Sequence, residues 1–102
     1  MARTLRHRSI APAHPGEILS EITIPATGKS KAEIARLLGI SRQTLYDILS
    51  RRQGVTPATA VRIGKLFGDG AEIWLRLQME YDLWRAEKEV DTSAIKTLPS
   101  AA

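Results

Sequence analysis

Cysteine is absent from all 102 residues, so neither disulfides nor cysteine metal sites are available, and a reducing compartment is permitted. No apolar run approaches the roughly 20 residues that a membrane span requires. The opening residues carry arginines, but no apolar segment of the signal-peptide kind follows them. A cytoplasmic protein with no membrane partner is the simplest reading. Only two histidines occur, His7 and His14. His14 and Glu17 have a metal-compatible spacing, but His7 lies far off in the opening arm, so no metal site is expected. There is no cysteine nucleophile, no Gly-rich phosphate loop after a strand, and no carboxylate pair with an evident cleft. No catalytic residue, no cofactor and no enzyme activity is therefore expected. Internal repeats and low-complexity blocks are missing too.

What is present centres on Ser30 to Arg52. Ser30 is placed to cap a helix, and Glu33 three residues later completes a capping box. Ile34, Ala35, Leu37 and Leu38 recur at helical spacing, and Gly39 follows where a left-handed residue would end the helix. Ser41 then caps a second helix, with Leu45, Ile48 and Leu49 on its apolar side. Arg42, Gln43, Thr44, Tyr46 and Asp47 occupy the other. Two short helices joined by a tight turn containing glycine describe a helix-turn-helix. The small Ala35 at the crossing, Gly39 four residues on and Leu45 six beyond that resemble the Cro/repressor (XRE) family.

Charge supports a nucleic-acid partner. The net charge is +4, but residues 1–56 carry +5 and residues 57–102 carry −1. The positive half contains the helix-turn-helix, which is the asymmetry that attraction to a phosphate backbone requires. At 102 residues with 43% apolar content, one domain with a modest core is expected.

In chain order, residues 1–13 read as a flexible basic arm with Arg3, Arg6 and Arg8, interrupted by Pro12. His14-Pro15-Gly16-Glu17 opens a first helix, with Ile18, Leu19 and Ile22 as its buried face and with Pro25 and Gly28 ending it. After the second helix of the motif, Arg51 to Gly54 form an exit turn. Thr56 caps the next helix, Pro57 sits at its first position, and Ala60, Val61, Ile63, Gly64, Leu66 and Phe67 pack. Asp69 and Glu72 repeat the capping-box pattern ahead of a long last helix, about 70–89. Trp74, Leu77, Tyr81 and Trp84 form one apolar stripe on it, with Leu75, Met79, Leu83 and Ala86 forming a second. One stripe closes the core and the other needs a cover, read here as a homodimer contact. That contact is assigned to Trp74, Leu77, Gln78, Tyr81 and Trp84. Residues 14–90 thus make a DNA-binding and dimerisation domain, and residues 91–102 a flexible tail.

His14-Pro15-Gly16-Glu17-Ile18-Leu19, the helix-turn-helix, and Trp74-Leu75-Arg76-Leu77-Gln78 with Tyr81-Asp82-Leu83-Trp84 resemble the HigA-type antitoxins of HigB–HigA modules. The match covers about residues 14–90, and one departure is Gly70-Ala71 before the last helix. The resemblance implies an all-α, five-helix lambda-repressor-like bundle containing a helix-turn-helix. It further implies a homodimer, operator binding with repression of its own operon, nucleoid association in a bacterial cytoplasm, and capture of an mRNA-cleaving HigB-type toxin. A stand-alone phage-like XRE repressor without a toxin is the alternative, and a purely protein-binding adaptor would lack salt-sensitive DNA affinity.

The DNA face follows from the docking geometry of such motifs on double-stranded DNA. Arg42 and Gln43 are the expected base readers, Arg for guanine and Gln for adenine. Thr44 and Tyr46 have reach to base or backbone. Ser30, Lys31 and Ser41 are placed for phosphates at helix N-termini, and Arg51 and Arg52 for phosphates beyond the helix end. Asp47 is expected to orient a neighbouring arginine.

Overall fold

A computed structural model describes residues 11–100. Five helices carry the fold. The first, α1, spans residues 15–27 and runs Pro15–Ile18 as α-helix, Leu19–Thr23 as a π-helical turn, and Ile24–Thr27 as α-helix again. It is followed by α2 (Lys31–Leu38), α3 (Arg42–Leu49), α4 (Pro57–Phe67) and α5 (Ala71–Glu89). No strand occurs among the described residues, so the all-α, five-helix expectation holds. Arg3, Arg6 and Arg8 of the expected arm lie outside the described residues. Residues 91–100 carry no helix, and all of them are exposed.

The core is built from Leu19, Ile24, Ile34, Ala35, Leu38, Leu45, Ile48, Val55, Ala60, Ile63 and Trp74, each nearly free of solvent contact. Helix α4 packs along α5, α2 crosses α3 and touches α4, and α1 lies against both α3 and α5. Three serine or threonine hydroxyls start three of these helices as the sequence indicates. Ser30 Oγ accepts the Glu33 N–H at 3.1 Å, Ser41 Oγ that of Thr44 at 3.0 Å, and Thr56 Oγ1 that of Thr59 at 3.2 Å. Each satisfies a backbone donor that the first helical turn leaves without a partner.

Several expected details differ. Glu33 does not close a capping box, because Arg36 binds both its carboxylate oxygens and draws the side chain along the helix. That guanidinium also holds the Glu33 carboxyl below its ordinary range. Asp69 does not cap α5: its Oδ1 accepts the indole N–H of Trp74 at 2.8 Å, and Gly70 stands at the cap without a side-chain bond. Leu37 and Val61 face solvent at 41% and 61% exposure, so the packing faces of α2 and α4 are narrower than the apolar spacing indicates.

The largest departure is in α1. Ile22 is 65% exposed and Ile24 is buried in its place, and Pro25 lies within the helix rather than ending it. The π-helical turn explains both observations. The Ile24 N–H bonds to the Leu19 carbonyl, five residues back, so the extra residue rotates the buried face from position 22 or 23 to position 24. Winding the turn wide also opens the backbone ahead of Pro25, whose ring would otherwise strike the carbonyl four residues earlier. Gly28, at φ 71°, ends the helix as expected.

Two junctions fix the motif within the bundle. A Cβ on Gly16 would lie 1.9 Å from the Ile48 carbonyl oxygen, so the start of α1 rests directly on the last turn of α3. Beside it, His14 is 2% exposed, and its Nδ1 accepts the Gly16 N–H at 2.9 Å, capping α1. That bond places the single proton of the neutral ring on Nε2. The Nε2 atom faces the donor nitrogen of Gln78 at 3.5 Å, which is contact rather than a hydrogen bond. The imidazole also packs perpendicular to the Tyr81 ring, 4.8 Å between centroids at 84°. Gln78 itself is buried; its Oε1 accepts the Val55 N–H at 2.8 Å and its Nε2 donates to Asp82 Oδ1 at 3.0 Å. The two sequence signatures, at 14–19 and 74–84, therefore meet face to face.

Gly16→Ala should cost about 2 kcal/mol, the scale of an overpacked core, because backbone atoms must separate to admit the methyl group. A urea midpoint equal to that of the parent protein would show that α1 does not rest on α3 as described. Burial holds the His14 pKa below the ordinary value of 6.5, with Arg51 and Arg85 lowering it further and Asp82 and Glu17 opposing. The unfolded chain therefore binds a proton more readily than the folded one. The stability that neutral His14 provides is complete above that ordinary value and falls away with acidification through the depressed one. The melting temperature should drop between pH 7 and pH 5, and His14→Asn, which keeps a capping acceptor without a titrating ring, should flatten that part of the profile.

Candidate nucleic-acid interface

Helices α2 and α3 form the helix-turn-helix. Ala35, 1% exposed, and Leu45, fully buried, lie in its core, where α2 crosses α3. The turn between the helices closes as a Schellman motif. Gly39 takes φ 75°, its N–H bonds to the Arg36 carbonyl, and the Ile40 N–H bonds to that of Ala35. A second residue secures the same turn. Arg62, from α4, donates from Nη1 to the Leu38 carbonyl at 2.9 Å, and its guanidinium lies 2.7 Å from where a Gly39 Cβ would stand. No local sequence signal identifies Arg62, since its partner is 24 residues away.

The outer face of α3 carries the side chains singled out in the sequence. Arg42 and Gln43 are exposed at its first two positions, Thr44 is half-buried, and Tyr46 is 41% exposed. Ser41 Oγ donates to Thr44 Oγ1 at 2.9 Å while accepting the Thr44 N–H, so both hydroxyls are held at the helix start. Ser30 and Lys31 are exposed at the start of α2. Neither Arg42, Gln43 nor Thr44 is buried against the protein.

At the far end of α3 the chain turns sharply. Arg51 takes φ 67°, the left-handed region, and is the one non-glycine to do so among the described residues. The N–H groups of Arg52 and Gln53 then bond back to the Asp47 carbonyl at 2.8 and 3.1 Å. This fold-back brings the Arg52 Nε to within 3.3 Å of Asp47 Oδ1, while Gln43 Nε2 donates to the same oxygen at 2.8 Å. The arginine partner expected for Asp47 is therefore Arg52, and Gln43 joins it unannounced. Arg51 and Arg52 are both exposed.

The residues assigned to a subunit contact divide differently. Trp74 is 3% and Gln78 6% exposed in the single chain, so both are core residues and are withdrawn from that assignment. Their faces are occupied by Asp69, Val55, Asp82 and His14. Leu77 is half-buried against the core. Tyr81 and Trp84 are also half-buried, with ring centroids 6.1 Å apart, and Lys88 Nζ lies 4.4 Å from the Trp84 ring centre. The first apolar stripe thus turns inward, and the second stays open. Met79 and Leu83 are 60% and 40% exposed, and with Val55, Leu75, Ala86 and the polar Gln78 and Asp82 they line a groove along α5. The described residues hold no cluster of ligand side chains able to bind a metal, and no helix among them is long and apolar enough to cross a membrane.

A capped helix mounted across a second one on a glycine turn, its exposed face bearing Arg, Gln and Tyr, has the parts of a helix-turn-helix DNA-binding domain. The helix-turn-helix domain family matches residues 2–72, and the chain belongs to that family. Virulence-associated protein I of Dichelobacter nodosus is 38% identical over 76 residues, covering 74% of this chain and 70% of that one. The solved structure of antitoxin GraA in complex with its operator is 35% identical with a TM-score of 0.77, over 91% of this chain and 94% of that one. Pseudomonas aeruginosa antitoxin HigA with the higBA promoter is 34% identical with a TM-score of 0.71, over 80% and 98%. The chain is an antitoxin-like helix-turn-helix DNA-binding protein, and the likeness to HigA-type antitoxins seen in its signatures holds.

Proposed function

We propose that this protein is the antitoxin of a type II toxin–antitoxin module, a homodimer that binds an inverted-repeat operator, represses its own operon and neutralises a HigB-type mRNA-cleaving toxin by direct binding. The observation that carries the DNA reading is the exposed start of α3, where Arg42 and Gln43 face solvent on the first turn after the Ser41 cap. Such an end, with its positive dipole, enters the major groove, and its first side chains reach base edges. Arg42 takes a guanine and Gln43 an adenine by paired hydrogen bonds. Thr44 and Tyr46 extend the contact along the groove. Ser41, Ser30 and Lys31 lie at helix starts, where backbone N–H groups favour a phosphate, and Arg51 and Arg52 grip the backbone past the helix end. The relatives solved with a promoter or operator support this reading.

Dimerisation is carried by the open groove of α5. An uncovered apolar stripe of this kind serves as an interface, and Leu75, Met79, Leu83 and Ala86 take the place of the inward-facing Trp74, with Gln78 and Asp82 also lining the groove. Two copies of α3 about one DNA turn apart, ~34 Å, match an operator with two-fold symmetry. Toxin neutralisation rests on the likeness to antitoxins.

Gln43→Ala should cost roughly 1–3 kcal/mol on the operator and relax preference at one position per half-site, whereas Arg51→Ala should weaken operator and scrambled duplex alike and make the salt dependence shallower. Electrophoretic shifts on both duplexes over a salt series separate the two; equal losses for Gln43→Ala would remove it as a base reader. Met79→Glu with Leu83→Glu should move the sedimenting species to monomer, and an unchanged dimer would place the interface elsewhere. Co-expression with the adjacent reading frame tests the toxin. A stable complex with restored growth is expected, and its absence leaves a stand-alone repressor.

A further inference from the structure

We propose that Asp47 is a specificity-determining positioning residue, which fixes the Gln43 amide with its oxygen turned away from the carboxylate and so selects a base that presents an amino group beside N7 in the major groove. This rests on the reading of α3 as the helix that enters the major groove. A side-chain amide free to flip end for end offers either a donor or an acceptor to a base edge, and then discriminates poorly. Here the carboxylate of Asp47, one helical turn below, has no proton to give, so only the amide nitrogen of Gln43 can face it, as the 2.8 Å contact records. The amide then keeps one N–H and its Oε1 for the DNA. That pair matches N7 and the amino group of adenine, whereas the oxygen opposes the carbonyl oxygens of thymine and guanine.

A carboxylate near a phosphate backbone carries an electrostatic cost, and the structure shows how it is offset. Arg52 reaches the same Oδ1 at 3.3 Å, and the Asp47 side chain keeps 26% of its exposure. The left-handed Arg51 creates the fold-back that puts Arg52 there. The arrangement trades general affinity for selectivity: Asp47 repels every duplex somewhat and orients the reader for one.

The test compares the operator duplex, a scrambled duplex of equal composition, and selection from a randomised half-site. Asp47→Ala should bind scrambled DNA several-fold more tightly and reduce the operator-to-scrambled ratio by roughly tenfold, the scale of one well-placed bidentate contact. Gln43→Ala combined with Asp47→Ala should lose no more discrimination than Gln43→Ala alone. Asp47→Asn offers a donor as well as an acceptor, so it no longer fixes which end of the Gln43 amide faces it; it should tighten both duplexes and lose discrimination as Asp47→Ala does. Melting curves confirm that each variant is folded. An Asp47→Ala protein that keeps the parent ratio while Gln43→Ala collapses it overturns the positioning role and leaves the groove reading standing. Equal losses on both duplexes for Gln43→Ala overturn the groove reading, and this inference with it.

Discussion

A single buried amide holds the segment that leaves α3. Gln78 accepts the backbone N–H of Val55 with its oxygen and donates to Asp82 with its nitrogen, so both ends of the group are used. Gly54 admits it, since a Cβ there would lie 2.9 Å from the amide. A residue with only donors or only acceptors could not serve both partners, and losing the buried bond to Val55 costs about 1–3 kcal/mol. Val55 in turn joins the core with Ile48 of α3 and Trp74 of α5. The exit of α3 is therefore tied to α5 from inside the molecule, by a polar contact at the end opposite Arg42 and Gln43.

The same junction explains why α1 begins where it does. His14 caps its own helix and closes over Gln78, while Gly16 lets that helix touch the backbone of α3. Two stretches about sixty residues apart in sequence become one small interlock. Surface chemistry is left to the elements at its periphery, α2, α3 and the exit turn.

How much of this was legible follows the range of the forces involved. The caps at Ser30, Ser41 and Thr56, the turn at Gly39 and the exposed face of α3 were readable, because each depends on side chains within four residues of one another. The faces of α5 were not. Its apolar residues surround the helix too evenly for spacing to tell core from cover, and a glutamine at the most buried stretch looks like a surface residue until Val55 is seen opposite. The π-helical turn of α1 escaped for a similar reason: one extra residue in a helix leaves no mark in composition, and Pro25 reads as a terminator when nothing reveals the widened turn before it. On the candidate site the residue types were legible but their coupling was not. Gln43 and Asp47 stand one turn apart and are visible as a pair, whereas Arg52 joins them only because the chain reverses at Arg51.

That reversal leaves a tension in the molecule. A left-handed backbone costs a residue with a side chain roughly 1–2 kcal/mol, and glycine would adopt it without that cost. The position is nevertheless filled by a guanidinium, the group suited to clasping a phosphate. On the proposed role of Arg51, folding and grip make opposite demands on this one site, so heat resistance alone, taken as the criterion in directed evolution, would erode the very cation that the bend holds out.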